Sequence, residues 1–112
     1  MARGSVNKVI LIGSLGKDPE TKSFPNGGSL TQFSIATSES WVDKNTGERK
    51  EQTEWHRVTA WGKTAEIIEK YVTKGREIGI EGKLTHRSYD DKNGEKRYVT
   101  EIVANEVLLL GK

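Results

Sequence analysis

The stretch Thr53-Glu54-Trp55-His56-Arg57-Val58-Thr59-Ala60-Trp61 sets two indoles and a guanidinium at alternating positions. In extended backbone, successive side chains point to opposite faces. Trp55, Arg57, Thr59 and Trp61 therefore share one face, and His56, Val58 and Ala60 the other. Val58 and Ala60 suit a narrow apolar interior, which turns the tryptophans and the arginine toward water. The stretch from Ile78 to Tyr89 divides the same way: Ile78, Ile80 and Leu84 on one parity, Lys83, Thr85, Arg87 and Tyr89 on the other. Flat rings interleaved with cations are what an unpaired nucleic-acid strand requires, because its bases expose π faces and its phosphates carry charge. A duplex hides those faces, and no segment reads as a recognition helix for its major groove.

Other chemistries find little support. Gly62-Lys63-Thr64 imitates the end of a phosphate-binding loop, but the pattern needs a glycine where Arg57 stands. Asp43, Asn45 and Gly47 imitate a calcium loop, yet Glu48 occupies the position that requires glycine. Asp90-Asp91 falls in a turn without further aligned carboxylates. His56 and His86 form no metal-binding or triad spacing, and no serine sits in a nucleophile elbow. No catalytic residue, metal site or cofactor is implied.

These groups need strands to hold them. Ser5 to Gly16 reads as a strand with apolar residues on both parities, so that both of its faces are covered. Lys17-Asp18-Pro19 and Phe24-Pro25-Asn26-Gly27-Gly28 read as turns. Ser29 to Trp41, Gln52 to Trp61, Ile78 to Tyr89 and Lys96 to Leu110 are the next four strands. The one helix candidate lies between the third and fourth strands. Thr64 would cap it, Ile67, Ile68, Tyr71 and Val72 would form its apolar stripe, and Gly75 would stop it. All-β with one short helix in that place matches a five-stranded OB barrel. Trp41-Val42-Asp43-Lys44-Asn45-Thr46-Gly47-Glu48-Arg49-Lys50 echoes Tyr89-Asp90-Asp91-Lys92-Asn93-Gly94-Glu95-Lys96-Arg97. Both read as a strand-ending aromatic and a hairpin turn; a sharper reading makes them two mobile basic fingers flanking one surface, with Trp41 and Tyr89 ending neighbouring strands.

The chain has 112 residues, the length of one domain, and residues 1–112 are read as one unit. Hydrophobic residues make up 33% and charged residues 30%, which predicts a thin core under much solvated surface. Eighteen Lys and Arg against sixteen Asp and Glu leave a net charge of +2, so any anion site must come from local clustering. The absence of cysteine excludes disulfides, thiolate nucleophiles and cysteine-based metal sites. The apolar runs Val9 to Ile12 and Val107 to Leu110 are too short for a spanning helix or a signal core, so a soluble, intracellular protein is expected, with no membrane partner.

Long collinear blocks carry a family resemblance: Asn7-Lys8-Val9-Ile10-Leu11-Ile12-Gly13, Leu15-Gly16-Lys17-Asp18-Pro19-Glu20, Pro25-Asn26-Gly27-Gly28, Ala36-Thr37-Ser38-Glu39-Ser40-Trp41 and Glu51-Gln52-Thr53-Glu54-Trp55-His56-Arg57-Val58. Gly62-Lys63, Tyr71, Lys74-Gly75 and Ile80-Glu81-Gly82-Lys83-Leu84 continue it. From Arg3 to Leu110 the chain resembles the bacterial single-stranded DNA-binding protein family. The resemblance implies an OB barrel assembled as a homotetramer, wrapped by single-stranded DNA without sequence preference during replication, recombination and repair in the cytoplasm, at the nucleoid. It implies stacking by Trp41, Trp55, Trp61 and Tyr89. Arg3, Lys8, Lys44, Lys50, Arg57, Lys63, Lys74, Arg87 and Arg97 fall at the family's basic positions along the DNA. His56, with Val6, Lys8 and Ile10 of the first strand, falls at the subunit interface. The family usually continues into a disordered tail with an acidic tip that recruits replication and repair proteins. This sequence ends at Lys112, which implies a removed tail or a tail-less viral or plasmid type, and such partners only where a tail exists. The rivals are a primosomal-type or RNA-binding OB assembly protein and a small phosphate-handling enzyme using Gly62-Lys63-Thr64.

Overall fold

The computed structural model describes residues 4–110. They form β1 (Val9–Leu15), β2 (Glu20–Ser23), β3 (Ser29–Val42), β4 (Arg49–Trp61), α1 (Gly62–Tyr71), β5 (Glu77–Asp90) and β6 (Lys96–Leu109). The strands lie in the order β1-β5-β6-β4-β3-β2, and β1 also reaches β3, so that five strands close into a barrel with β2 on its edge. Only β4 and β6 run parallel. This is the expected OB barrel, with the helix between its third and fourth strands.

Closure depends on β1 serving two partners. Val9 to Ser14 pair with β5, while Ser14 and Leu15 pair with β3. Glycine is needed at the tight points: a Cβ on Gly13 would overlap the Ala36 carbonyl, and one on Gly82 the Val103 carbonyl. Asn7 prolongs the β1–β5 ladder with its side chain, Nδ2 donating to the Leu84 carbonyl at 2.9 Å and Oδ1 accepting from the Leu84 N–H at 2.9 Å.

The core is small-bore. Phe33, Ile35, Val58, Ala60, Ile78, Ile80, Ile102 and Ala104 line it, and Ala65, Ile68 and Val72 close one end. Asn105 is an extra residue in β6, because Glu81 pairs with Glu106 while Gly82 pairs with Ala104. That bulge moves the inward side from even positions (Ile102, Ala104) to odd ones (Val107, Leu109).

Several sequence expectations need correction. The turn-rich segment after β1 contains a further strand, β2, whose polar residues carry no apolar alternation; it is held by the β3 ladder and a 3.1 Å Thr21–Thr31 hydroxyl bond. The strands of the first hairpin run further than expected, to Val42 and from Arg49. Trp61, not Thr64, occupies the helix N-cap, and no side chain caps it; the Thr64 hydroxyl donates to the Asn105 carbonyl at 3.3 Å. The helix ends at Tyr71. Gly75 has φ of 85°, but it sits beyond the helix end, where its N–H binds the Leu15 carbonyl at 2.9 Å. Ala65, Ile68 and Val72 face inward, whereas Ile67 and Tyr71 are exposed. Leu84, although it stands opposite the buried Ile102, is 39% exposed. Within the single chain β1 is covered on one side only, leaving Ile10 and Ile12 open.

Candidate nucleic-acid interface

One outer face spans four strands. On β4, Trp55, Arg57 and Trp61 point outward, opposite Ala36, Ser34 and Leu30 of β3. On β5, Lys83, Thr85, Arg87 and Tyr89 stand opposite Val103, Glu101, Val99 and Arg97 of β6. The two halves are joined across β4 and β6 by Thr59, whose hydroxyl donates to Glu101 Oε2 at 3.4 Å. Trp55, Trp61 and Tyr89 are 59%, 53% and 47% exposed, which is unusual for rings of this size on a folded chain. Thr59 and Glu101 are the face members that are buried, at 3% and 7%.

Each ring is held differently. The Trp55 indole lies over Gly16, and the gap beside it, lined by Gly16, Lys17, Ser34 and Trp55, adjoins an open pocket of about 210 Å³ reaching Gln32 and Arg57. Trp61 stacks on Phe24 with ring centroids 6.3 Å apart and planes at 20°. The Phe24 turn is itself tied by bonds from the Phe24 N–H to Gly28 and from the Gly27 N–H to Phe24. Trp41 does not join this face: its partner is Lys50, and by register it lies on the reverse side of the β3–β4 ribbon, 46% exposed. Nor do Trp41 and Tyr89 end neighbouring strands, since β6 and β4 separate β5 from β3.

The basic positions divide into paired and unpaired. Lys8 lies 3.6 Å from Glu81, Arg87 2.9 Å from Glu101, and Arg97 2.8 Å from Asp91 and 3.5 Å from Glu95. Glu101 raises the Arg87 pKa, first through its hydrogen bond and then through its charge. Lys44, Lys50, Arg57, Lys63 and Lys74 make no ion pair among the described residues. Arg3 lies outside the described residues.

The two hairpin tips share one chemistry. Asp43 Oδ1 accepts from the Asn45 and Thr46 N–H groups, and Asp91 Oδ1 from those of Asn93 and Glu95. Gly47 and Gly94 take φ of 76° and 80°. The echo noted in the sequence is thus turn chemistry. The tips are hydrogen-bonded, each aspartate accepting from N–H groups of its own turn, and Asp91 also pairs with Arg97. Arg97, followed by the Glu95 and Asn93 N–H groups, holds Asp91 below the usual carboxylate range. His56 is half-buried, with Nε2 2.8 Å from the Thr37 hydroxyl of the same chain.

Sequence reading passed over Phe24, whose Phe-Pro-Asn-Gly context reads only as a turn, and Glu101, which stands opposite Thr85 and meets Arg87 only on the diagonal, a pairing that strand parity alone does not give. It also passed over Tyr98, which is 78% exposed and pairs with Ser88 on the side of the β5–β6 hairpin away from Tyr89. No helix among the described residues is long and apolar enough to cross a membrane.

An OB barrel whose outer face carries solvent-facing indoles and an unpaired arginine defines a single-strand-binding class of protein. The model of the single-strand binding protein family matches residues 6–110, and the chain belongs to that family. Its structure is similar to that of the Plasmodium falciparum SSB in complex with ssDNA, with 34% identity over 99% of this chain and 100% of that one and a TM-score of 0.87. It is also similar to a deletion mutant of the single-stranded DNA binding protein from Thermus aquaticus, with 30% identity and a TM-score of 0.79. There it covers 95% of this chain and spans 51% of the other.

Proposed function

We propose that this chain binds and protects single-stranded DNA without sequence preference, as a non-catalytic partner of replication, recombination and repair in the cytoplasm. The observation that carries this reading is the joined outer face of β3, β4, β5 and β6, with Trp55, Trp61 and Tyr89 open to solvent around Arg57. Bases stack on the rings, at about 1–3 kcal/mol each, and phosphates release counterions as they meet Arg57, Lys63 and Lys74. Trp41, with Lys44 and Lys50, extends the path along the first hairpin, on the reverse side of the ribbon, so the strand wraps over an edge. Arg3 continues the path as the family resemblance implies.

The same reading assembles the chain with copies of itself, as a homotetramer in the family's manner. Val6, Ile10, Ile12 and Leu108 are 89%, 65%, 57% and 61% exposed, and Ile10, Ile12 and Leu108 rim an open apolar hollow of about 310 Å³ along β1, β5 and β6. A second copy supplies the cover that β1 lacks, with Lys8 beside it and His56 at a further subunit contact. Titration with oligothymidylate, followed by intrinsic tryptophan fluorescence at two salt concentrations with duplex DNA as control, tests the function. Strong quenching by the single strand alone, weakening with salt, is expected; equal or absent quenching with both would sink the reading.

A further inference from the structure

The outer face has a carboxylate at its centre. Glu101 is 7% exposed; its Oε1 accepts from Arg87 Nε at 2.9 Å and its Oε2 from the Thr59 hydroxyl at 3.4 Å. Its backbone carbonyl accepts from the Thr85 hydroxyl at 3.1 Å. One buried acid thus ties β4, β5 and β6 together at the middle of a face otherwise built to attract phosphate. An acid there has a cost for DNA binding, and a barrel needs no charge to tie its strands. Its position matters for Arg87, whose side chain is 48% exposed and whose positive charge is matched at contact distance.

We propose that Glu101 is a positioning residue that withholds Arg87 from the phosphates and presents its guanidinium as a flat neutral-pair surface beneath a base. This rests on the single-stranded DNA reading above. Only a cation whose counterions are released on binding adds to the salt dependence of affinity, and the Arg87–Glu101 pair has little net charge to neutralise. The planar guanidinium keeps its ability to stack while its Nε is held by the carboxylate. The face therefore divides its work: Arg57 contributes charge, and Arg87 contributes surface. Pairing Arg87 also caps affinity at low salt, since it leaves one cation fewer for the phosphates.

The test uses the full chain and oligothymidylate, with affinity measured across a series of salt concentrations. Glu101→Gln preserves the side-chain shape, keeps an amide oxygen to accept from Arg87 and turns its N–H toward the Thr59 hydroxyl, which then accepts, while freeing a positive charge. It is expected to bind more tightly at low salt, with a log–log salt slope steeper by about 0.7. The double variant Arg87→Gln with Glu101→Gln removes a neutral pair and is expected to keep the wild-type slope. Arg57→Gln, expected to flatten the slope by about 0.7, shows that a single phosphate contact is detectable. A wild-type slope in folded Glu101→Gln overturns the proposal, as does a double variant whose slope flattens like that of Arg57→Gln. Failure of the wild-type chain to bind oligothymidylate at all would instead remove the functional reading on which the proposal rests.

Discussion

The Trp55 indole lies so close over Gly16 that a methyl group on Gly16 would stand 2.7 Å from two ring carbons. Gly16 is exposed, and nothing about its backbone demands glycine except this ring. The β1–β2 connection therefore sets the tilt of an aromatic that β4 supplies.

Gly16→Ala is accordingly expected to fold normally yet displace the ring. Trp55→Ala should cost about 1–3 kcal/mol of single-strand affinity, and Gly16→Ala a part of that. Near-ultraviolet circular dichroism and oligothymidylate titration check both. Equal affinities for Gly16→Ala and wild type would mean that the ring tilt is irrelevant to binding.

Phe24 covers one side of Trp61, so a base meets only the other side. Phe24→Ala should lower the emission anisotropy of Trp61 in a variant lacking Trp41 and Trp55, and weaken binding by about 0.5–1.5 kcal/mol. Phe24→Tyr should restore both. An anisotropy that does not move would show that Trp61 is ordered by β4 alone.

Acid should loosen the tip of the second hairpin through Asp91. Asp91 has a depressed folded pKa, caused first by Arg97. Its stabilising bonds are thus fully present above the unfolded value of about 3.9 and lost as pH falls through the lower folded value. Amide exchange at Asn93 and Glu95, followed through an acid titration, should show that step. Asp91→Asn should remove the step and leave both amides exchanging faster at neutral pH.

Ile10 is 65% exposed, so Ile10→Glu should leave the fold of the single chain within about 0.5 kcal/mol of wild type. Its effect belongs to assembly: sedimentation should show smaller species than wild type. An unchanged mass would take β1 out of the subunit contact.

Alternation made the β4 and β5 faces legible in the sequence, because Val58 and Ala60 had to go inside and the indoles could not follow. The fold class followed from strand count and the place of the helix, but which strands are neighbours did not: β5 and β3, which carry Tyr89 and Trp41, have β6 and β4 between them. Three kinds of feature stayed hidden. β2 has no apolar pattern of its own, since the ladder of β3 alone makes Glu20 to Ser23 a strand. Charge pairing needs three-dimensional neighbours: Arg87 and Arg97 look like free cations in the chain, and only the β5–β6 register brings Glu101 to the first, while the turn brings Asp91 to the second. Trp41 was found as an aromatic but not as one on the reverse side, because its parity matters only once the hairpin projects past the barrel.

The two hairpin tips folded around Asp43 and Asp91 have a consequence for the entropy of binding. Ordering a loose basic loop around a ligand costs roughly 0.5–1.5 kcal/mol for each rotamer-rich side chain immobilised, before any backbone ordering is counted. Here the backbone of both tips already spends its N–H groups on its own aspartates, so its ordering is settled when the chain folds rather than when a strand arrives. What remains free to adapt is the side chains of Lys44, Lys92 and Lys96, which can follow an irregular strand while the arms that carry them stay in shape.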